Sequence, residues 1–213
     1  MSASVESKKM RLLLLRMLCG AVVGAVVTGS FLAFFGKPLL DLKDPGALLA
    51  VITGLSYVLI GLMVWVGMAV PGVGVRMLNV EDAEELREET PKLKSGVVVL
   101  ILTGLFLLSL AMAGTNFLSG ALALGLAAGC LAGIVAAGWL GAKKYDEMTK
   151  RIGEQTASAT LQAGMLMLGV WAMLAQLGYV AWVGPLAMVS AFALLQLLAS
   201  FVVIAKRGML MPR

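Results

Sequence analysis

The sequence predicts an all-α integral membrane protein: a six-transmembrane-helix bundle arranged as three consecutive hairpins, with both termini cytoplasmic. Three observations carry that expectation. The 213 residues are 60% hydrophobic and 14% charged, with a mean hydropathy of +0.96, whereas soluble domains carry about 25% charged residues. The charges cluster and leave four uncharged stretches, 17–36, 45–75, 95–142 and 155–205. With six spans, 15 of the 17 Lys and Arg residues fall in segments 1–16, 76–94, 143–154 and 206–213, which then share one side.

The first span is expected at 14–35, behind Lys8, Lys9, Arg11 and Arg16. A secretory signal has an apolar core of about 7–15 residues and a small-residue cleavage site. Here the uncharged run is membrane-length and ends in Phe34-Phe35-Gly36, so it reads as a retained span. The second stretch holds one helix, 47–70. At 1.5 Å per residue, each of the last two would make a single helix more than twice the ~30 Å hydrocarbon thickness, so each must fold as a hairpin. The breaks are expected at Gly114-Thr115-Asn116 and between Gly178 and Gly184-Pro185, where turn formers gather. Pro185 suits a first helical turn, where its missing N–H costs nothing. The resulting spans are 96–114, 118–141, 158–178 and 185–205, and the whole of 1–213 forms a single polytopic membrane domain.

Orientation follows from the charges. The opposite loops carry Lys37, Lys43, Asp41 and Asp44, which cancel, so the entire +5 lies on one face. The positive-inside rule makes that face and both termini cytoplasmic, in the cell membrane, the inner membrane if the source is bacterial. Attraction to anionic lipid accounts for the basic balance, and no nucleic-acid partner is needed. Trp65, Trp139 and Trp182 fall where indole rings anchor at the interface.

Much chemistry is excluded. The chain contains no His, which removes imidazole metal and haem ligation, Ser-His-Asp and Cys-His catalysis, and His proton relays. Cys19 and Cys130 lie in apolar runs without CxxC spacing and read as buried apolar residues. Beyond the inner end of the first span, the spans hold no Asp, Glu, Lys or Arg, which argues against proton-coupled transport and intramembrane catalysis. No catalytic residue, metal site or cofactor is expected. The 14 methionines lack a His-Cys companion and read as packing or lipid-facing residues.

The most ordered pattern is a small residue at every fourth position of the fourth span: Ala121, Gly125, Gly129, Gly133, Ala137 and Gly141. Such residues line one face and let another helix approach closely. Gly20 and Gly24 of the first span form a shorter version that is a candidate to fill this groove, and replacing Gly129 or Gly133 with Leu is expected to destabilise the monomer; the alternative is a homodimer or partner-subunit seam, marked by loss of a complex at unchanged monomer stability. Gln162 and Gln176 lie on nearly one face of the fifth span, and Gln196 on the sixth, so these amides either join helices or line a solute cavity.

The loop 76–94 holds six of the twelve acids: Glu81, Asp82, Glu84, Glu85, Glu88 and Glu89. A short helix over 80–90 is expected, capped by Asn79, ended by Pro91, and carrying Val80, Ala83 and Leu86 on one apolar stripe. An interfacial helix on anionic lipid would be basic, so this one is expected to dock on protein: on Lys143, Lys144, Lys150 and Arg151, or on another subunit. Rhomboid-type proteases and PAP2-type phosphatases require His, and the aspartate run of CDP-alcohol phosphotransferases is missing. In length and topology alone, the chain is similar to the substrate-capturing subunits of energy-coupling-factor vitamin transporters.

The functional expectation is a non-enzymatic multi-pass membrane subunit or accessory protein. It would bind other membrane proteins, or itself, through helix faces and the acidic helix. The alternative is a transporter or substrate-binding subunit for a neutral or apolar solute, marked by an outward cavity reaching Gln176 or Gln196.

Overall fold

The structure, a computed structural model, describes residues 24–26, 29–30, 33, 45–70, 72, 74–75, 82–113 and 118–207. It is nearly all helical, with no strand among the described residues. Five long apolar helices dominate: α1 (Pro45–Ala69), α2 (Ala83–Ala111), α3 (Gly120–Ala142), α4 (Glu147–Gln176) and α5 (Pro185–Lys206). Each is long and apolar enough to cross a membrane, and the chain is a multi-pass membrane protein. The expected first span, 14–35, lies outside the described residues apart from isolated positions, as do both termini.

The helices pack in the order α3, α2, α1, α5, α4, with a light contact between α2 and α5. Two expected hairpins are present, α2 with α3 and α4 with α5, but the most extensive packing joins α1 to α2. Backbone proximity explains it. A Cβ added to Gly104 would lie 2.5 Å from the Gly54 carbonyl oxygen, and one on Gly61 would lie 2.7 Å from Ile101. Without side chains at these positions the helices approach closely, and dispersion takes over where water offers no driving force. Val51 and Leu107 are fully buried beside the crossing. At one end Ala50, Val51, Leu55 and Ala111 form the core, with Leu108 and Leu186 packed against it.

One expected boundary is corrected. The acidic stretch and the third span are one 29-residue helix, α2, which runs through Pro91. Its cap is Asp82, whose carboxylate accepts from the amides of Glu84 and Glu85 at 2.9 and 2.8 Å. Proline removes one helical hydrogen bond, but Pro91 is exposed and near the charged end, where water can satisfy the carbonyl left over. Leu86, 2% exposed, anchors the turn before the proline. The 143–154 loop shrinks likewise to four residues: Asp146 caps α4 by accepting from the Thr149 amide at 2.8 Å. Charges outside the hydrocarbon do not stop a helix.

The 178–185 turn forms as expected. Gly178 has φ +80°, and Tyr179 and Gly178 donate to the carbonyls of Leu174 and Ala175, a Schellman closure that needs glycine at the left-handed position. Pro185 opens α5.

Candidate functional site: the helix faces and the two ends of the bundle

The small-residue stripe of α3 is divided. A Cβ on Gly133 would meet Leu102 at 2.8 Å, and one on Gly141 would meet the Ser95 hydroxyl at 2.7 Å, so this half packs on α2. Ala137 is half-buried between them. Ala121, Gly125 and Gly129 are exposed, and nothing lies within 4 Å of a Cβ at either glycine. The α3 face buried against the bundle instead runs through Ala123, Ala127, Cys130 and Gly141. Its spacing of four, three and eleven keeps one helical face, whereas a strict spacing of four rotates off it. Gly24 likewise has nothing within 4 Å of an added Cβ, and Gly20 lies outside the described residues.

One end of the bundle gathers the charges. Lys92 pairs with Glu89 at 3.0 Å and with Asp146 at 3.5 Å, tying α2 to the start of α4. The Ser95 and Tyr145 hydroxyls are 3.1 Å apart, and Arg207 donates to Gln155 at 2.8 Å, joining the end of α5 to α4. Lys143 sits 5.3 Å from the centroid of Trp139, a cation–π distance. The Asp146 carboxyl is held at about 2, below its ordinary 3.8, by the hydroxyl and amide of Thr149 and then by Lys92. Of the acids expected to dock, Asp82 is a helix cap, Glu89 pairs with Lys92, and Glu84 and Glu88 are exposed; Glu81 lies outside the described residues. Neither ion pair uses Lys143, Lys144, Lys150 or Arg151.

The other end holds an apolar pocket of about 470 Å³ between the starts of α1 and α5 and the last turns of α4. Leu49, Met167, Trp171, Trp182 and Met188 line it, and the Trp171 ring N–H donates to the Ala181 carbonyl at 3.0 Å. None of Gln162, Gln176 and Gln196 lines it. Gln162 and Gln176 are exposed on α4 and Gln196 is half-buried on α5, so the structure does not bring the three together.

Hydroxyls inside the spans turn to their own helices. Thr103, Thr160, Ser190 and Ser200 each donate to the carbonyl four residues earlier at 2.8 Å. Tyr57 of α1 instead donates across to the Ala193 carbonyl of α5 at 2.8 Å. Thr53 is fully buried and its hydroxyl has no partner among the described residues. Sequence reasoning missed the Gly54, Gly61 and Gly104 contacts and the bond from Tyr57 to Ala193. The seven-residue spacing of Gly54 and Gly61 places both on one face, a signal weaker to the eye than six small residues in a row.

Compared with family models, curated proteins and solved structures, the chain matches none of them.

Proposed function

We propose that this protein is a non-enzymatic multi-pass membrane subunit that binds other membrane proteins, through an exposed face of α3 and the acidic first turns of α2. The observation that carries the reading is the divided stripe. Gly133, Ala137 and Gly141 serve the protein's own α2, while the same pattern continues through Ala121, Gly125 and Gly129 with nothing on it among the described residues. Small residues at spacing four are the usual means of close helix approach in membranes. Glu84 and Glu88, one turn apart and exposed on α2 at the charged end, offer a second contact surface outside the hydrocarbon, at the opposite end of the bundle from Ala121, Gly125 and Gly129. In this reading the basic end faces the cytoplasm, with both termini on that side.

The test is Gly125→Leu with Gly129→Leu, and separately Glu84→Lys with Glu88→Lys, followed by purification in mild detergent and mass spectrometry of what co-purifies. The expected result is loss of a membrane-protein partner at unchanged thermal midpoint. Equal recovery from both variants, or a monomer destabilised by the leucines, refutes the reading.

The apolar pocket favours a second reading, a substrate-binding subunit for an apolar solute. Trp171 and Trp182 in its wall would report occupancy directly. If no apolar solute changes their fluorescence, this reading fails.

A further inference from the structure

We infer that the groove between α2 and α3 at the charged end is a binding site for an anionic phospholipid. The groove holds about 390 Å³ and its walls change character along the helix axis. Val98 of α2 and Ala137 and Leu140 of α3 form the part nearer the membrane centre, while Lys94 and Lys144 line the part nearer the end of the helices. Both lysines are exposed, and neither side chain has an ion pair among the described residues. The neighbouring Lys92 differs, being held by Glu89 and Asp146. The Glu89 and Asp146 carboxylates are thus engaged by Lys92 and not by Lys94 or Lys144.

The shape comes from the sequence. Gly141 lets the Ser95 side chain approach α3, where Ser95 also meets the Tyr145 hydroxyl. The helices therefore touch along this line and leave a furrow beside it, open to the lipid side. Exposed alkyl surface beneath two ammonium groups matches an acyl chain beneath a phosphodiester. A protein partner's acidic segment would satisfy the lysines but not the apolar half. Basic pockets between transmembrane helices select anionic headgroups in this way, and the proposal stands apart from the α3 partner face.

The experiment is native mass spectrometry of the full chain in neutral detergent, titrated with phosphatidylglycerol or phosphatidylcholine. The wild type should retain one phosphatidylglycerol and no phosphatidylcholine. Lys94→Gln with Lys144→Gln should weaken retention on the order of thirtyfold, and Leu140→Gln, which makes the exposed apolar half polar with both lysines intact, should also weaken it. Lys150→Gln with Arg151→Gln removes equal charge from the same end, on α4, and should retain the lipid. Equal retention by the two charge-removal variants, equal binding of phosphatidylcholine, or displacement of the lipid by glycerol phosphate overturns the proposal. Unchanged thermal midpoints of the glutamine variants separate lost binding from lost fold.

Discussion

Substituting Gly104 with Ala tests whether backbone proximity at the α1–α2 crossing holds the bundle together. The new Cβ would sit 2.5 Å from the Gly54 oxygen and 2.6 Å from a Val58 methyl. An ordinary C···O contact is about 3.3 Å, so the helices must part by roughly 0.8 Å at this point. No rotamer relieves the clash, because the oxygen belongs to the backbone. Parting loosens Val51 and Leu107, both fully buried, and a gap of that size forfeits about a quarter to a half of each contact's dispersion energy. Overpacking of this kind costs about 1–3 kcal/mol, partly offset by the gain of about 1 kcal/mol when Ala replaces Gly in a helix. The net expectation is a loss of up to about 2 kcal/mol, and of about 1–3 kcal/mol once the helix-propensity gain is removed by comparison with a Gly-to-Ala change at an open site. Gly129→Ala is the control, since nothing lies within 4 Å of its Cβ; it should be neutral or gain up to about 1 kcal/mol. Both can be followed by maleimide labelling of the buried Cys130 during unfolding in mixed micelles, in a Cys19→Ser background. If Gly104→Ala proves as stable as Gly129→Ala, close approach at this crossing is not what holds α1 on α2.

Three further outcomes follow from the same contacts. Tyr57→Phe removes the hydrogen bond to Ala193 and should cost about 0.6 kcal/mol, the usual worth of an interhelical bond in a membrane; an unchanged unfolding midpoint would show that the bond contributes nothing. Thr53→Val keeps the shape and deletes a buried hydroxyl that has no partner among the described residues, so it should stabilise by about 1 kcal/mol, and a measured loss would reveal a partner for that oxygen. Asp146 has a folded-state value of about 2 against an ordinary 3.8. Because the folded value is depressed, its stabilisation is fully present above about pH 4 and is lost as the pH falls through about 2. Amide exchange at Thr149, corrected for intrinsic rate, should therefore accelerate across that window in the wild type and show no such step in Asp146→Asn.

The sequence revealed the five helices because its signal is long-range and solvent-driven: uncharged runs, their lengths, and turn formers at Gly178 and Gly184-Pro185. The helix starts at the charged end were less legible. Pro91 reads in the sequence as a helix terminus, because proline removes a helical hydrogen bond. At an exposed position in the third turn of α2 the cost is bearable, and the buried Leu86 holds the turn on its far side. The α4 start was hidden for a related reason. Its charges have the composition of a loop, although Asp146 with an amide three residues on is an ordinary cap.

Contacts between helices were harder still, because in lipid the partner of a face is decided by shape and not by hydropathy. A row of six small residues on α3 signals close approach somewhere, yet half of the row faces α2 and half does not. The decisive difference lies in the partner: Leu102 and Ser95 reach the lower half, and nothing comparable reaches the upper half among the described residues. Gly54 and Gly104 show the converse, two unremarkable glycines in sequence that together set the closest crossing of α1 and α2. Polar residues misled in the same way. Gln162, Gln176 and Gln196 suggested a shared interior, but side chains on a helix share an interior only if the helix turns that face inward. The α4 helix packs on α5 through Gly164 and the Phe192 ring, which leaves Gln162 and Gln176 exposed on other faces. A glycine opposite an aromatic ring thus fixed the rotation of α4, and with it which residues stand outside the packed bundle and so are free to meet lipid, solute or another protein.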